Sequence, residues 1–309
     1  MRFQTNISNI IPLFANVLRV DEKMPLLIVA HGLFLLSFVV GVSTREVFGY
    51  EEVVVTSGAT LSGKVTLKGP VPPTRIFHLV FSPNSAFCGG ISDGKGNRLL
   101  KEFQVVPDGG FRDVVVAVVG VEKGKPFTLA PKVDIEHCRI LPFVTPVRNQ
   151  YPISLVNRDP VHHDIQGYTL NGSYTFAMFN RPLIPESTAS EKMRMRNGHY
   201  LFRTQCGVHD FMQSWGIAVG NPYFVITGED GRFEISDLPA GEYDLIAWHP
   251  YLDIVSQRVQ VSENGKVTVN FEMNASGVEI PLYSRQKEYR LETLQSDQIL
   301  PPAVELQKE

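Results

Sequence analysis

Short runs of alternating or continuous apolar residues recur along the chain between residues 55 and 275. Each run has about four to eight residues, which is strand length, and Gly, Pro, Asn and Asp residues separate the runs. No long stretch shows the 3.6-residue period of an amphipathic helix. The pattern therefore predicts an all-β protein, with strands at Ser62–Gly69, Val114–Gly120, Lys132–Ile135, Tyr151–Val156, Gly198–Gln205 and Gly216–Val219.

The length of this β region is sufficient for two domains. A Greek-key β-sandwich is the architecture expected for residues 50–221, and a second series of strands begins near Pro222. The segment 169–197 is long for a hairpin, and we expect it to be partly ordered over one sheet edge. Residues 276–309 form a polar tail that we expect to be disordered or loosely docked.

The N-terminal segment contains a hydrophobic stretch that indicates export. Residues 24–44 have no charged side chain apart from the titratable His31. A stretch of about 20 such residues is typical of a signal peptide or of a single membrane anchor. Both interpretations of residues 1–45 predict a periplasmic or other extracytoplasmic location, and either Met1 or Met24 could be the translation start.

One short loop contains three residues of the types that bind metals. Cys206, His209 and Met212 follow one another at intervals of three positions. A thiolate, an imidazole and a thioether are ligands of copper ions that cycle between two oxidation states. Zinc is the main alternative for Cys and His ligands, but a thioether favours copper. Because three ligands on one reversing loop cannot enclose a metal, a further ligand must come from another strand.

Two adjacent histidines upstream, His162 and His163, offer that further ligand. Side chains alternate between the two faces of a strand, so only one of these histidines can face inward. Either choice would complete a trigonal set of two His and one Cys with a weak axial Met. Chance occurrence of these residues in an ordinary core or on the surface is the alternative to metal binding.

The loop Cys-x2-His-x2-Met resembles that of the cupredoxins, most closely the amicyanin type. His163 lies 43 positions before Cys206, a separation similar to that of the family, and it follows a short apolar strand. The resemblance implies a cupredoxin-like domain over residues 50–221 with one type 1 copper ion. It implies His163, Cys206 and His209 as equatorial ligands and Met212 as the axial ligand.

Two features near the loop refine this expectation. Asp164 stands where cupredoxins usually have an Asn that braces the cysteine loop, and its charge would lower the reduction potential. The neighbours of Cys206 are Gln205 and Gly207, whereas multicopper oxidases and copper nitrite reductases have a His there that leads to a second copper. We therefore expect an electron carrier, with His209 at the loop edge as the electron port, and not an enzyme.

The C-terminal strands resemble a second family. The segments Asp230–Phe233 and Pro239–Tyr243 are similar to the turn-and-strand signature of the carboxypeptidase regulatory-like domain, which implies a small prealbumin-type sandwich over residues 222–275. We interpret Trp248 and His249 as packing residues and not as an electron port. The combined layout resembles a bacterial exported family that is loosely labelled with methylamine utilisation.

The two other cysteines, Cys88 and Cys138, could form a disulfide in an oxidising compartment. Two independent buried thiols are the alternative, because sequence does not give the distance between them.

Three functions remain open. The first is an exported blue-copper electron carrier whose partners are redox proteins of the bacterial envelope, with membrane contact only through an N-terminal anchor. The second is copper storage or delivery, in which Met193 and Met195 would bind Cu(I), although chance clustering of methionines is favoured. The third is a structural envelope β-sandwich protein without a redox role. The net charge of −3 and the lack of a basic cluster argue against nucleic-acid binding.

Overall fold

The computed structural model describes residues 50–79, 82–171, 174–196, 198–276 and 278. The predicted leader, residues 1–45, and almost all of the predicted tail lie outside this part of the chain. Regular structure in the described residues is almost entirely β, apart from one α-helical turn, α1 (Ser85–Cys88), and a following 3-10 turn. None of these helices is long and apolar enough to cross a membrane.

The strands of the described residues are, in chain order, β1 (Glu51–Glu52), β2 (Ala59–Lys68), β3 (Arg75–His78), β4 (Asn97–Leu100), β5 (Val115–Val119), β6 (Lys123–Gly124), β7 (Lys132–Ile135), β8 (Ile140–Leu141), β9 (Val144–Val147), β10 (Pro152–Asn157), β11 (His163–Asn171), β12 (Tyr174–Leu183), β13 (Thr188–Lys192), β14 (Leu201–Cys206), β15 (Gln213–Ala218), β16 (Phe224–Ile226), β17 (Arg232–Leu238), β18 (Gly241–Trp248), β19 (Val255–Val261), β20 (Lys266–Thr268) and β21 (Phe271–Asn274). The predicted all-β sandwich fold is confirmed.

One sandwich contains the predicted metal ligands. Its first sheet has the strand order β13-β10-β7-β8, and its second has the order β12-β11-β14-β15-β9. Alternation explains the packing of β10, where Ile153 and Leu155 face the core while their neighbours are more exposed. The segment 169–197, expected to be partly ordered over one sheet edge, supplies the whole of β12 and β13, which are edge strands of the two sheets.

The other sandwich is built from strands that are far apart in the sequence. Its sheets have the orders β16-β5-β18-β19 and β17-β2-β20, and β21 also pairs with β2. The turn that the sequence predicted at Gly231 is present, with a φ of 77° that favours glycine. Phe233 packs in the core of this sandwich and Tyr243 packs against it, as their places in the pattern predict.

The first sandwich lies within a connection of the second. Strand β16 pairs antiparallel with β5, Phe224 opposite Ala117, although strands β7 to β15 come between them in the chain. The predicted domain ranges 50–221 and 222–275 follow the order of the chain, whereas β2 and β5 share sheets with strands beyond residue 222. Local sequence patterns reveal strands but not long-range strand partners, which explains this difference.

A second segment of the chain lies between strands of one sandwich and packs in the core of the other. Residues 75–100 lie between β2 and β5 in the chain, yet Phe77, Leu79 and Leu100 pack in the core of the first sandwich. A further apolar cluster joins the two sandwiches and includes Trp215 on one side and Trp248 on the other. The two sandwiches therefore share a buried interface.

Trp248 and its neighbour His249 are both buried in the protein interior. Nε2 of His249 lies 3.1 Å from the carbonyl oxygen of Glu102, and the ring packs against Phe111 with centroids 4.6 Å apart. These contacts agree with the interpretation of His249 as a packing residue, and Trp248 packs in the apolar cluster between the sandwiches.

Candidate metal centre

Three of the four predicted ligands come together in the core of the first sandwich. Nδ1 of His163 lies 3.7 Å from the sulfur of Cys206, and Nδ1 of His209 lies 3.6 Å from the same sulfur. The ligand atoms all lie within 4.8 Å of one another. Their side chains have exposed fractions of 0%, 2% and 0%, so the cluster is closed to bulk water.

The sheet places these side chains at one end of two adjacent strands. Cys206 is the last residue of β14 and pairs with Ile165 of β11, while His163 is the first residue of β11. The loop after Cys206 returns at Met212, whose carbonyl oxygen accepts a hydrogen bond of 3.1 Å from the amide of Cys206. The amide of Met212 in turn donates to the carbonyl oxygen of His209, at 3.0 Å. The loop is thus closed by its own backbone.

The two adjacent histidines have different environments. His163 is buried and faces Cys206, whereas His162 is exposed and precedes the strand. Alternation along the strand allows only one of them to face inward. The structure therefore brings His163, and not His162, to the cluster.

Met212 is also buried, with 1% of its side chain exposed, and packs in the same apolar cluster as Cys206 and Phe211. Its backbone position at the returning end of the loop agrees with the predicted arrangement. Met193 and Met195 are buried in this core too, where they contribute apolar packing.

The carboxylate of Asp159 orients His163. Oδ2 of Asp159 lies 2.9 Å from Nε2 of His163, so Nε2 carries the proton and Nδ1 presents its lone pair toward Cys206. Both residues are almost fully buried. A carboxylate that fixes the tautomer of a histidine ligand in this way is a common feature of metal sites.

Asp159 is itself held by the turn that carries a disulfide. Its two carboxylate oxygens accept hydrogen bonds of 2.5 and 2.8 Å from the amides of His137 and Cys138. These two residues have φ values of 51° and 52°, the left-handed conformation of a type I′ hairpin turn. Cys138 forms a disulfide with Cys88, with 5.5 Å between the Cα atoms. The predicted disulfide is confirmed, and it adjoins the histidine that faces Cys206.

Burial controls the protonation of the cluster. It lowers the pKa of His163 below its ordinary value, although Asp159 opposes this change. It lowers the pKa of His209 to about 4, and the nearby His163 acts in the same direction. Burial also raises the pKa of the Cys206 thiol, against hydrogen bonds from backbone amides. At neutral pH both imidazoles are neutral and able to coordinate, and a bound cation would have to displace the thiol proton.

His209 does not lie at an exposed loop edge. Its side chain is completely buried, and the carbonyl of Pro83 lies close enough to the ring to oppose the lowering of its pKa. The expectation that His209 lies at the edge of the loop is therefore wrong. The segment that covers it carries Cys88 and comes from more than a hundred positions earlier in the chain, so the sequence around the loop could not reveal it.

The spacing of the ligand atoms matches a small metal ion. Bonds of about 2.0–2.1 Å to nitrogen and about 2.3 Å to sulfur, at angles between tetrahedral and trigonal, require nitrogen–sulfur separations of roughly 3.5–3.8 Å. The observed separations are 3.6 and 3.7 Å. Two imidazoles and one thiolate with a thioether nearby in the chain are donors suited to copper. The residues present therefore fit a copper ion.

Gly207, which follows Cys206, lies where a larger residue would not fit. A Cβ atom at Gly207 would lie 2.8 Å from Oδ2 of Asp164 and 2.6 Å from Nε2 of Gln166. The amide of Gly207 donates a hydrogen bond of 2.7 Å to the carbonyl oxygen of Asp164. Asp164 thus braces the cysteine loop through its backbone, next to the first histidine.

Three solved structures that resemble part of this chain are a purple cupredoxin, an amicyanin and a copper-containing nitrite reductase. A purple cupredoxin from Nitrosopumilus maritimus is 14% identical, covers 29% of this chain and 99% of its own, and has a TM-score of 0.24. Amicyanin from Paracoccus versutus is 16% identical, with 34% and 97% covered and a TM-score of 0.24. The copper-containing nitrite reductase of Thermus scotoductus is 15% identical, with 33% of this chain and 25% of the enzyme covered and a TM-score of 0.24.

Similarity at this level carries no argument about function. No known protein family and no curated protein matches the chain. The interpretation of the site therefore rests on the geometry of its own residues.

Sequence reasoning missed the role of Asp159. The residue stands four positions before His163, a spacing that could have suggested a carboxylate–histidine pair.

The sequence analysis also did not predict the role of the Asn157 side chain. Its amide nitrogen lies 2.9 Å from the carbonyl oxygens of Val161 and Ile184, and its oxygen accepts a hydrogen bond of 3.0 Å from the amide of Asp159. Asn157 thereby shapes the loop that places Asp159.

Proposed function

We propose that this protein is an exported type 1 copper protein that carries single electrons between redox proteins of the bacterial envelope. The observation that supports the proposal most directly is the buried cluster of His163, Cys206 and His209, whose nitrogen–sulfur distances are 3.7 and 3.6 Å. When bound there, copper supplies a one-electron couple between Cu(II) and Cu(I). Met212 is the proposed axial ligand.

The residues of the site have separate roles in this proposal. Cys206 would supply a thiolate to a bound copper ion once its thiol proton is lost to solvent, and the two histidines would supply neutral nitrogens. Asp159 keeps the Nε2 proton of His163 in place, which leaves Nδ1 as a ligand atom. The closed loop between Cys206 and Met212 holds the donors in one arrangement, which suits an ion whose two oxidation states prefer different geometries.

Electron exchange must pass through protein atoms that cover the site. His209 is buried, so a partner protein cannot touch its ring directly. Pro83 contacts His209, and Pro83 and the start of α1 are exposed, so we propose this part of the surface as the place where a partner docks. We propose no catalytic reaction, because the four proposed protein ligands would leave no position for a substrate.

The proposal is tested by the visible absorption spectrum of the full chain after addition of one equivalent of Cu(II). An intense thiolate-to-copper band that is lost in Cys206→Ser is the expected result. A colourless protein that binds no copper, or a band that persists in Cys206→Ser, would overturn it. Restoration of the spectrum after a cycle of reduction and reoxidation would support electron transfer over storage.

A further inference from the structure

A cleft beside the cysteine loop contains positive charge that the metal centre does not use. It has a volume of about 440 Å³, which lies within the range of small-molecule sites. Arg98 on β4 and Arg139 on the disulfide-bearing turn line it, together with Lys101. Among the residues that the structure describes, Asp93 is the only one in its lining with an acidic side chain.

Each of the two arginines has one donor atom without the partner that such an atom usually has. Nε of Arg98 and Nε of Arg139 are shielded from solvent, and neither has a hydrogen-bond acceptor in the described part of the chain. Burial lowers the pKa of Arg98 to about 10, the positive charge of Arg139 adds to this effect, and the charge of Glu102 opposes it. Two like charges held close together in a partly buried place favour the binding of an anion between them.

The acidic residues nearby are occupied elsewhere. Asp93 accepts hydrogen bonds from the amides of Lys95 and Asn97, at 2.8 and 3.1 Å. Glu102 forms a buried ion pair with Arg75, whose Nε lies 2.9 Å from Oε1 of the carboxylate. Neither carboxylate therefore compensates the pair of Arg98 and Arg139 through a hydrogen bond.

The rest of the cleft lining is mixed, with the polar side chains of Ser92, Gln104 and Gln213 beside apolar ones. Leu99, Ile140, Leu141, Phe143, Phe211 and Met212 contribute to its lining. Pockets that combine apolar walls with a few well-placed polar groups bind ligands that have a polar head and an apolar body. A planar carboxylate matches the fork of an arginine with two parallel hydrogen bonds.

From this arrangement we infer that the cleft is a binding site for a small organic carboxylate, held by Arg98 and Arg139 with its apolar part against Phe143 and Phe211. The site borders the cysteine loop but does not depend on copper, because both arginines lie outside the metal cluster. The inference is therefore separate from the proposed electron transfer and can be tested in metal-free protein.

Calorimetric titration of the full chain at pH 7 and constant chloride provides the test. Benzoate, inorganic phosphate and benzamide serve as probes, since benzamide has the shape of benzoate without its charge. Saturable binding of benzoate that is at least about tenfold tighter than that of phosphate or benzamide is expected. Absence of benzoate binding, or equal binding of all three, would overturn the inference.

Variants locate the site. Arg98→Gln and Arg139→Gln should each weaken benzoate binding roughly ten- to a hundredfold, because each removes a charge-assisted pair of hydrogen bonds. Arg258→Gln is the matched control, since this arginine is exposed on β19 and pairs with Asp244. Circular dichroism checks that each variant folds. If Arg98→Gln does not fold, it is replaced by Arg98→Lys. This variant keeps the positive charge but lacks the forked guanidinium group. Unchanged affinity in folded variants of both arginines would show that benzoate binds elsewhere.

Discussion

Asp159 and His163 form a buried pair in which the carboxylate lies 2.9 Å from Nε2, while the other ring nitrogen faces the sulfur of Cys206. The same carboxylate also accepts the amide protons of two residues in the disulfide-bearing turn. One side chain thus links the proposed first ligand to a covalently fixed part of the sandwich.

Replacement of Asp159 by Asn should weaken copper binding. Whichever way the amide turns, its NH2 group faces an N–H donor, either in the turn or on His163. We expect copper affinity to fall roughly ten- to a hundredfold, as is usual for residues that orient ligands. Competition with a chelator of known affinity measures the change. Asp134→Asn is the control, because Asp134 pairs only with the partly exposed Arg158 and Lys132. Equal affinities in the two variants would contradict the role of Asp159.

The choice between the two histidines gives a second prediction. His163→Gly should abolish the thiolate-to-copper band, because it removes the nitrogen 3.7 Å from the sulfur. His162→Gly should leave the band unchanged, since that side chain is exposed. Visible spectra of the two variants at one equivalent of Cu(II) are the measurement. The opposite outcome would assign the ligand to His162.

Loss of the disulfide should affect both stability and the metal centre. The bond between Cys88 and Cys138 closes a loop with a sequence separation of 50 residues. We expect the double variant Cys88→Ala/Cys138→Ala to lose about 3 kcal/mol of unfolding free energy. Copper affinity should fall as well, because the amides that hold Asp159 belong to the cross-linked turn.

Urea unfolding and chelator competition measure the two effects of this double variant. A reducing agent should destabilise the wild-type protein to a similar extent and leave the double variant unchanged. If the disulfide variant keeps full copper affinity, the turn does not support the site.

Buried His249 should make stability depend on pH. Burial lowers its pKa to about 3 in the folded protein, against an ordinary value near 6.5 in the unfolded chain. Because the unfolded state then binds the proton more tightly, the stability that His249 contributes above pH 6.5 is lost as the pH falls toward 3. Between pH 7 and pH 5 this loss is about 2 kcal/mol. Urea unfolding should show a weaker pH dependence in His249→Gln, and an unchanged dependence would refute the assignment.

Local sequence patterns could predict the strands and ligands whose position depends only on residues close to them in the chain. Alternation identified β7 and β10 almost to the residue, and the spacing of Cys206, His209 and Met212 marked a loop that brings Cys206 and His209 to one cluster. Periodicity in a strand depends only on which face is buried, so short windows contain that information.

Features that depend on distant partners were not predictable. The burial of His209 comes from a segment near Pro83, and the role of Asp159 comes from amides at residues 137 and 138. The sheets also bring β2 and β5 together with strands beyond residue 222. Such pairings are decided by global packing, which leaves no mark in the local order of apolar and polar residues.

Because β5 pairs with β16, the sandwich with the candidate metal centre is a guest domain, inserted in the chain of the other sandwich, its host. The guest also receives Phe77, Leu79 and Leu100 from an earlier interruption of the host, between β2 and β5. A single cut in the chain therefore cannot release a complete guest, and removal of either interruption would leave apolar side chains of the other without cover. The smallest piece of this protein that can hold the metal centre is accordingly close to the whole of the two sandwiches.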